Sequence, residues 1–159
     1  DRGIGLDLDL VKEAIRFDER ARADLMAAMQ TLTEMENPNS VAQMKVWLAE
    51  NGLETDTLGK AAVKDMIKSA PEPLRQVLAL RQSLAKSSVK KYTAMDSAVC
   101  KDGRARGLLQ FYGANRTGRW AGRLVQVQNL PRNHSEILDL ARDLVIARNI
   151  PALRVIFGK

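Results

Sequence analysis

Leu8, Val11, Ile15, Leu25, Met29 and Leu32 recur at roughly helical spacing among charged residues. The pattern predicts a long amphipathic helix from about Asp9 to Glu34, with Asp7 or Asp9 placed to cap it. Asn37-Pro38-Asn39 interrupts the stripe. Ser40-Val41-Ala42-Gln43 then offers a capping box, in which the Ser40 hydroxyl and the Gln43 side chain satisfy each other's backbone donors. That second helix is expected to reach about Glu50, where Asn51-Gly52 gives a C-cap signal and Leu53 to Leu58 forms a polar connection. A short helix follows from about Gly59 to Lys68. Pro71-Glu72-Pro73 marks a stop and a fresh start, because proline suits a first turn and not a helix interior. Leu74, Val77, Leu78, Arg81, Leu84, Ala85 and Val89 then keep one stripe that predicts a single helix to about Met95, with Lys86, Lys90 and Lys91 on or beside its outer face.

The period changes after Cys100. Lys101-Asp102-Gly103-Arg104 reads as a hairpin-type turn and Leu108 to Tyr112 as a short strand, while Leu124-Val125-Gln126-Val127-Gln128 alternates with period two. These two strands are expected to pair. Helical spacing returns from Ser135, a candidate cap, to Ala147, and again from Ile150 to Phe157. The fold class expected is mainly α, an elongated helical bundle with a small antiparallel β element at about 104–130 and C-terminal helices.

A chain of 159 residues suits one domain or one lobe of a larger protein. Rings make up 4% of it, too few to stack single-stranded bases as small β-barrel binders do. The single cysteine, Cys100, excludes an internal disulfide framework and a zinc ribbon. No stretch reaches the roughly 18 apolar residues of a membrane span and no secretory signal opens the chain, so a soluble, cytoplasmic protein is expected. The start at Asp1 and the end on Phe157-Gly158-Lys159 read as a piece cut from something longer.

Charge is uneven. Residues 1–70 carry nine Lys/Arg against thirteen Asp/Glu, whereas residues 71–132 carry twelve against three. Clustered cations repel one another unless phosphates or counterions neutralise them, so the basic stretch points to a polyanionic partner. The basic residues run through Gly-rich turns rather than along one helix face, which disfavours a membrane surface.

Thr117-Gly118-Arg119 is followed at a fixed separation by Gln128-Asn129-Leu130-Pro131. This pairing resembles the family A (DNA polymerase I-like) DNA polymerases, where a Thr-Gly-Arg element precedes a Gln-Asn-Ile-Pro element at the entrance to the palm. Asp1-Arg2-Gly3-Ile4-Gly5-Leu6-Asp7 is similar to the start of that family's polymerase domain. Asn37-Pro38-Asn39-Ser40 with Gln43 is similar to one of its helix starts, and the basic Lys90-Lys91-Tyr92 and the Gly103-Arg104 turn follow in the family's order. Arg116 to Arg123 resembles the bacteriophage branch. The resemblance runs to Arg132 and implies a helical thumb over 1–100, the entrance to the palm over 101–132, and an insertion-like helical segment over 133–159.

What the resemblance implies is a grip on primer-template DNA duplex. Purine N3 and pyrimidine O2 are acceptors common to all correct pairs, so donors in the minor groove sense pair shape without reading sequence. Arg119, Gln128 and Asn129 are the donors the motif would place there, with Gly118 permitting the turn, Thr117 fixing it, and Arg123 and Gln126 as secondary contacts. Lys86, Ser87, Ser88, Lys90 and Lys91 would bond phosphates. Two Mg2+ ions and a dNTP are implied for the intact enzyme. The family's Asp-x-Ser-x-x-Glu, its fingers helix with a Lys and a Tyr-Gly, and its His-Asp-Glu turn are all missing here, and His134-Ser135-Glu136 does not replace the last. No catalytic or metal-binding residue is therefore assigned, and Asp139 and Asp143 read as polar positions on an amphipathic helix. The competing readings are a stand-alone helical nucleic-acid-binding module and a protein-interaction lobe.

Overall fold

The computed structural model describes residues 2–86, 89–130 and 136–157. Its elements are β1 (Ile4–Gly5), α1 (Leu8–Thr33), α2 (Val41–Glu50), α3 (Lys60–Ser69), α4 (Leu74–Leu84), α5 (Lys90–Ala98), β2 (Arg104–Ala105), β3 (Leu109–Ala114), β4 (Arg119–Gly122), a 3-10 turn (Val127–Asn129), α6 (Leu138–Ile146) and α7 (Ile150–Phe157). The chain is mainly helical, with small antiparallel strand pairs and C-terminal helices, as its periodicity predicts. It divides into two compact units, one of residues 1–18 and 88–159 and one of residues 19–87, so the boundary falls within α1 and again just after α4.

The 19–87 unit is a helical cluster around Met29, Met44, Leu48, Leu74, Val77 and Leu78, with Trp47, Leu53 and Ile67 packed on it. Its helix ends follow the sequence closely. The Gln43 N–H donates to Ser40 Oγ at 3.4 Å. The Ser40 N–H, however, donates to the Asn37 carbonyl rather than to Gln43, so only half of the expected capping box forms. At the other end Gly52 takes φ +84°, the Gly52 N–H reaches the Ala49 carbonyl and the Leu53 N–H the Leu48 carbonyl. This pair of hydrogen bonds satisfies two of the last carbonyls of α2 and brings Leu53 back onto the core.

One expectation fails here: the helix foreseen from Leu74 to about Met95 is two helices, α4 and α5. The Arg22 guanidinium, projecting from α1, donates to the carbonyls of Leu84 and Lys86, each at 2.9 Å. Those oxygens are the acceptors that a continuing helix would need four residues later. Ser87 and Ser88, which lie outside the described residues, are also weak helix formers because their hydroxyls compete for backbone groups.

In the other unit β1 pairs antiparallel with β2, Ile4 opposite Ala105 and Gly5 opposite Arg104. The Arg104 guanidinium ties the pair down by donating to the carbonyls of Arg2 and Gly3. Gly3 is required by close approach: at φ +68° its missing Cβ would lie 2.7 Å from the Ala105 carbonyl oxygen. Asp7 caps α1, its Oδ1 accepting from the Leu10 N–H at 3.0 Å. Ala105, Leu108 and Val125 form a second, small core, with Leu6, Ala94, Met95, Ala98 and Val127 around it.

The strand expected at Leu124 to Gln128 does not form. β3 pairs instead with β4, and Leu124 and Gln126 adopt left-handed backbone at φ 54° and 50°, which breaks any extended run. The alternation was real but had another cause: Val125 and Val127 turn into the second core while Leu124 and Gln126 face out. Ser135, expected as the cap of the next helix, lies outside the described residues, and α6 starts at Leu138. α6 ends with Arg148 at φ 57°, where glycine is usual, and Arg148 makes a two-toothed ion pair with Glu13 at 2.7 and 2.8 Å. The hydrogen bonds from Arg148 hold the Glu13 carboxyl below its ordinary pKa.

Leu48 and Val46 sit two residues apart on α2, the first fully buried and the second 58% exposed. Leu48→Ala is expected to lower the unfolding free energy in urea by about 2–5 kcal/mol, through lost burial plus a residual cavity. Val46→Ala is expected to stay within about 0.5 kcal/mol. Equal effects would mean that α2 does not present this face to the core.

Candidate nucleic-acid interface

The expected donors divide between the units. Lys86 is exposed and belongs to the 19–87 unit, where its carbonyl accepts from Arg22. Ser87 and Ser88 lie outside the described residues. Lys90, Lys91, Thr117, Gly118, Arg119, Arg123, Gln128 and Asn129 all belong to the other unit.

Within that unit the β3–β4 hairpin carries Arg119. Leu109 pairs with Gly122 and Gln110 with Ala121, and after an irregularity Ala114 pairs with Arg119. The N–H groups of Thr117 and Gly118 both donate to the Ala114 carbonyl, at 3.0 and 2.9 Å, so Thr117 helps to close the turn. Gly118 has φ +65°, and a Cβ there would come within 2.7 Å of the Tyr112 ring. The turn is therefore built by glycine and roofed by tyrosine. Arg116, Arg119 and Arg123 stand exposed along it.

Beyond β4 the chain is held by its own core. The Arg123 N–H donates to the Leu108 carbonyl at 2.8 Å, and Val125 is 2% exposed. The Lys91 ammonium, near the start of α5, donates to the Val125 carbonyl at 3.2 Å. Lys91 is thus partly committed to positioning the very segment that carries the other candidate donors. Left-handed residues such as Leu124 and Gln126 each cost on the order of 1–3 kcal/mol and persist where surroundings over-determine them; the buried Val125 between them, with Lys91 on its carbonyl, supplies that constraint.

Asn129 is exposed and its amide donates to Gln126 Oε1 at 2.9 Å, while the Asn129 N–H takes the Gln126 carbonyl. Gln126, a secondary candidate from the sequence, therefore orients Asn129. Gln128 occupies the middle of the 3-10 turn, and its side chain lies outside what is described.

Geometry also sorts the cations. Arg104 is consumed by backbone carbonyls, and Arg106 by Asp102, to which it donates at 2.9 and 2.6 Å. The Arg106 hydrogen bonds, with the Arg104 N–H, pull the Asp102 carboxyl from 3.8 to about 2, and the same pair raises Arg106 above its ordinary value. Lys90, Lys101, Arg116, Arg119 and Arg123 are exposed, and their side chains have no hydrogen bond or ion pair among the described residues. Arg81, in the other unit, donates to the carbonyls of Pro38 and Asn39, and burial lowers its pKa.

Among the described residues no three His, Cys, Asp or Glu side chains gather as metal ligands, and Asp139 is paired with Arg142 at 2.9 Å. No helix among them is long and apolar enough to cross a membrane. One feature escaped the sequence reading: Phe111, Tyr112 and Trp120, three of the chain's seven rings, lie exposed on the hairpin. Their clustering within ten residues was the available signal, hidden by a low overall aromatic fraction.

No family model matches the chain and no solved structure matches it. A DNA polymerase of Bacillus phage SP02 is 53% identical to it over 160 residues, covering all of this chain and 25% of the relative. The chain thus spans a quarter of that relative's length.

Gly118→Ala is expected to cost the fold about 1–3 kcal/mol, because left-handed strain and the clash with Tyr112 both fall on the turn. Thermal melts and the Tyr112 ring resonances would show it, and an unchanged ring environment would refute the packing. The Asp102 pair gives a pH test. Its folded pKa lies below the ordinary 3.8, so its contribution is present above that value and is lost as pH falls through about 2. The protection of the Cys100 and Gly103 amides from exchange, taken relative to the unfolded-chain rate at the same pH, should fall only in that acid window, and Asp102→Asn should abolish the step.

Proposed function

We propose that the chain is the thumb and palm-entrance portion of a DNA-directed DNA polymerase of the DNA polymerase I family, bacteriophage branch, and that it grips primer-template duplex for the intact enzyme. The observation that carries the reading is the 53% identity to a phage DNA polymerase along the whole of this chain. At that likeness the Thr117 to Pro131 element and the basic residues before it belong to the same scaffold.

The local geometry supports a duplex-gripping role. Arg119 opens β4 directly after the Gly118 turn, so its backbone is held by the pairing with Ala114. Asn129 is oriented by Gln126, and Lys91 fixes the segment that presents both. Lys90, Arg116 and Arg123, whose side chains have no partner among the described residues, are suited to phosphate oxygens, which give affinity without sequence preference. Lys86 is assigned the same role from its own unit.

Nucleotidyl transfer by the two-metal scheme needs carboxylates that hold ions near the primer hydroxyl and the incoming dNTP. The residues described here do not fit that task, since no such group assembles among them. Metal and dNTP binding are assigned to the rest of the parent chain, and this segment alone is expected to be inactive.

The test uses the full-length parent polymerase and fluorescence anisotropy on primer-template DNA of two unrelated sequences. If about four phosphates are neutralised, log affinity should fall against log salt with a slope of about −3.6 for both. Lys90→Ala should reduce that slope by about 1, whereas Arg119→Ala should cost about 1–3 kcal/mol and narrow the discrimination between matched and mismatched primer ends. Absence of binding at low salt, or an Arg119→Ala enzyme with unchanged extension and fidelity, would overturn the assignment.

A further inference from the structure

Resting on the functional reading above, we infer that Asp102 is a built-in anion that keeps a phosphate receptor occupied in the free protein: its carboxylate fills the guanidinium fork of Arg106, and a backbone phosphate of the bound duplex displaces it. Arg106 thereby joins the phosphate contacts, with a competitor carried on the same chain.

Residues 97–132 hold seven Lys/Arg and a single acid, Asp102. That acid is held by two teeth: Arg106 Nη1 donates to Asp102 Oδ1 at 2.9 Å and Nη2 to Oδ2 at 2.6 Å, while the Arg104 N–H approaches Oδ1 at 3.3 Å. Two parallel N–H groups on two oxygens of one anion is also the geometry in which arginine takes phosphate. The Arg106 side chain is 37% exposed and that of Asp102 49%. Solvent and ligand can therefore reach both.

Exposure lowers the cost of exchange. An ion pair at the surface contributes little net stability, because water solvates each partner when the two separate. Arg104 is the contrast: it donates to the carbonyls of Arg2 and Gly3, and releasing it would untie β1 from β2. Arg106 instead trades one anion for another, and each duplex phosphate that it neutralises also releases condensed counterions. Its place in the fold suits the same partner. Arg106 leaves the small core between Ala105 and Leu108, and the Arg123 N–H donates to the Leu108 carbonyl, so the two arginines stem from neighbouring stretches of backbone.

Anisotropy with the full-length parent polymerase on primer-template DNA, at one salt concentration and across a salt series, tests the exchange. Asp102→Asn keeps an oxygen for the Arg104 N–H and removes the charge that holds Arg106. It is expected to tighten binding about two- to fivefold. Arg106→Ala is expected to weaken binding and to lower the salt slope by about 1. In the Arg106→Ala background, Asp102→Asn should then have no effect on affinity, since its gain acts through Arg106. A carboxylate that only staples the turn gives the opposite sign, so weaker or unchanged binding by Asp102→Asn overturns the inference. An equal gain with and without Arg106 also overturns it, as a general effect of charge. Arg106→Gln, which keeps side-chain length and a donor without the charge, gives the same reading if Arg106→Ala does not fold. Absence of salt-dependent binding by the unaltered enzyme defeats the functional reading and the receptor with it, whereas normal binding with a slope that Arg106→Ala leaves intact defeats the receptor alone.

Discussion

The seat of Val125 is the constraint on which the basic unit depends. Its side chain closes the small core of Ala105 and Leu108, and its carbonyl receives the Lys91 ammonium. With both ends of one residue held, the backbone on either side has little freedom, and the left-handed turns at Leu124 and Gln126 follow. Those turns aim Arg123 and Gln126 outward and start the 3-10 turn that carries Asn129. A core this small supplies modest burial energy. Its value lies in where it places the polar groups, which is the part of a binding surface that must be organised before a ligand arrives.

Much of the helical architecture was legible because helices announce themselves at their ends. Asp7, Ser40 and Asn51-Gly52 each supply a backbone group's missing partner locally, and such rules need no knowledge of tertiary structure. Two errors share a different origin. The break between α4 and α5 depends on Arg22, more than sixty residues away, and no local pattern carries that information. The false strand at Leu124 to Gln128 came from period two, which an extended chain and a chain alternating between two backbone regions both produce. For the site, residue types and order were readable, but not which cations the fold consumes: Arg104 and Arg106 look no different in sequence from Arg119 and Arg123.

Folding also redraws the charge map. Read linearly, the first seventy residues are acidic and the next sixty basic. Grouped by compact unit, residues 19–87 balance nine basic against nine acidic side chains, and residues 1–18 with 88–159 carry sixteen against ten. The whole net charge of +6 therefore belongs to the unit that holds the hairpin. Between residues 89 and 130 Lys91, Arg104 and Arg106 are tied internally, and the cations there without a side-chain partner among the described residues are Lys90, Lys101, Arg116, Arg119 and Arg123. Electrostatic attraction at this scale steers and grips; the positions of the uncommitted groups determine what can be gripped.

The irregularity in β3 explains why Arg119 has no side-chain partner among the described residues. In a regular hairpin continuing from Gln110 opposite Ala121, Phe111 would face Trp120 and Tyr112 would face Arg119. A tyrosine ring opposite arginine would cover the guanidinium and satisfy it by stacking. The register shift instead places Ala114 opposite Arg119, and Tyr112, at φ 53°, turns its ring over Gly118. Gly113 permits this, since a Cβ there would lie 2.5 Å from that of Ala121. A bulge of this kind re-aims side chains at a strand's end. Here it exchanges a large neighbour for a small one, and so leaves the charge of Arg119 for an external partner while the ring stiffens the turn beside it.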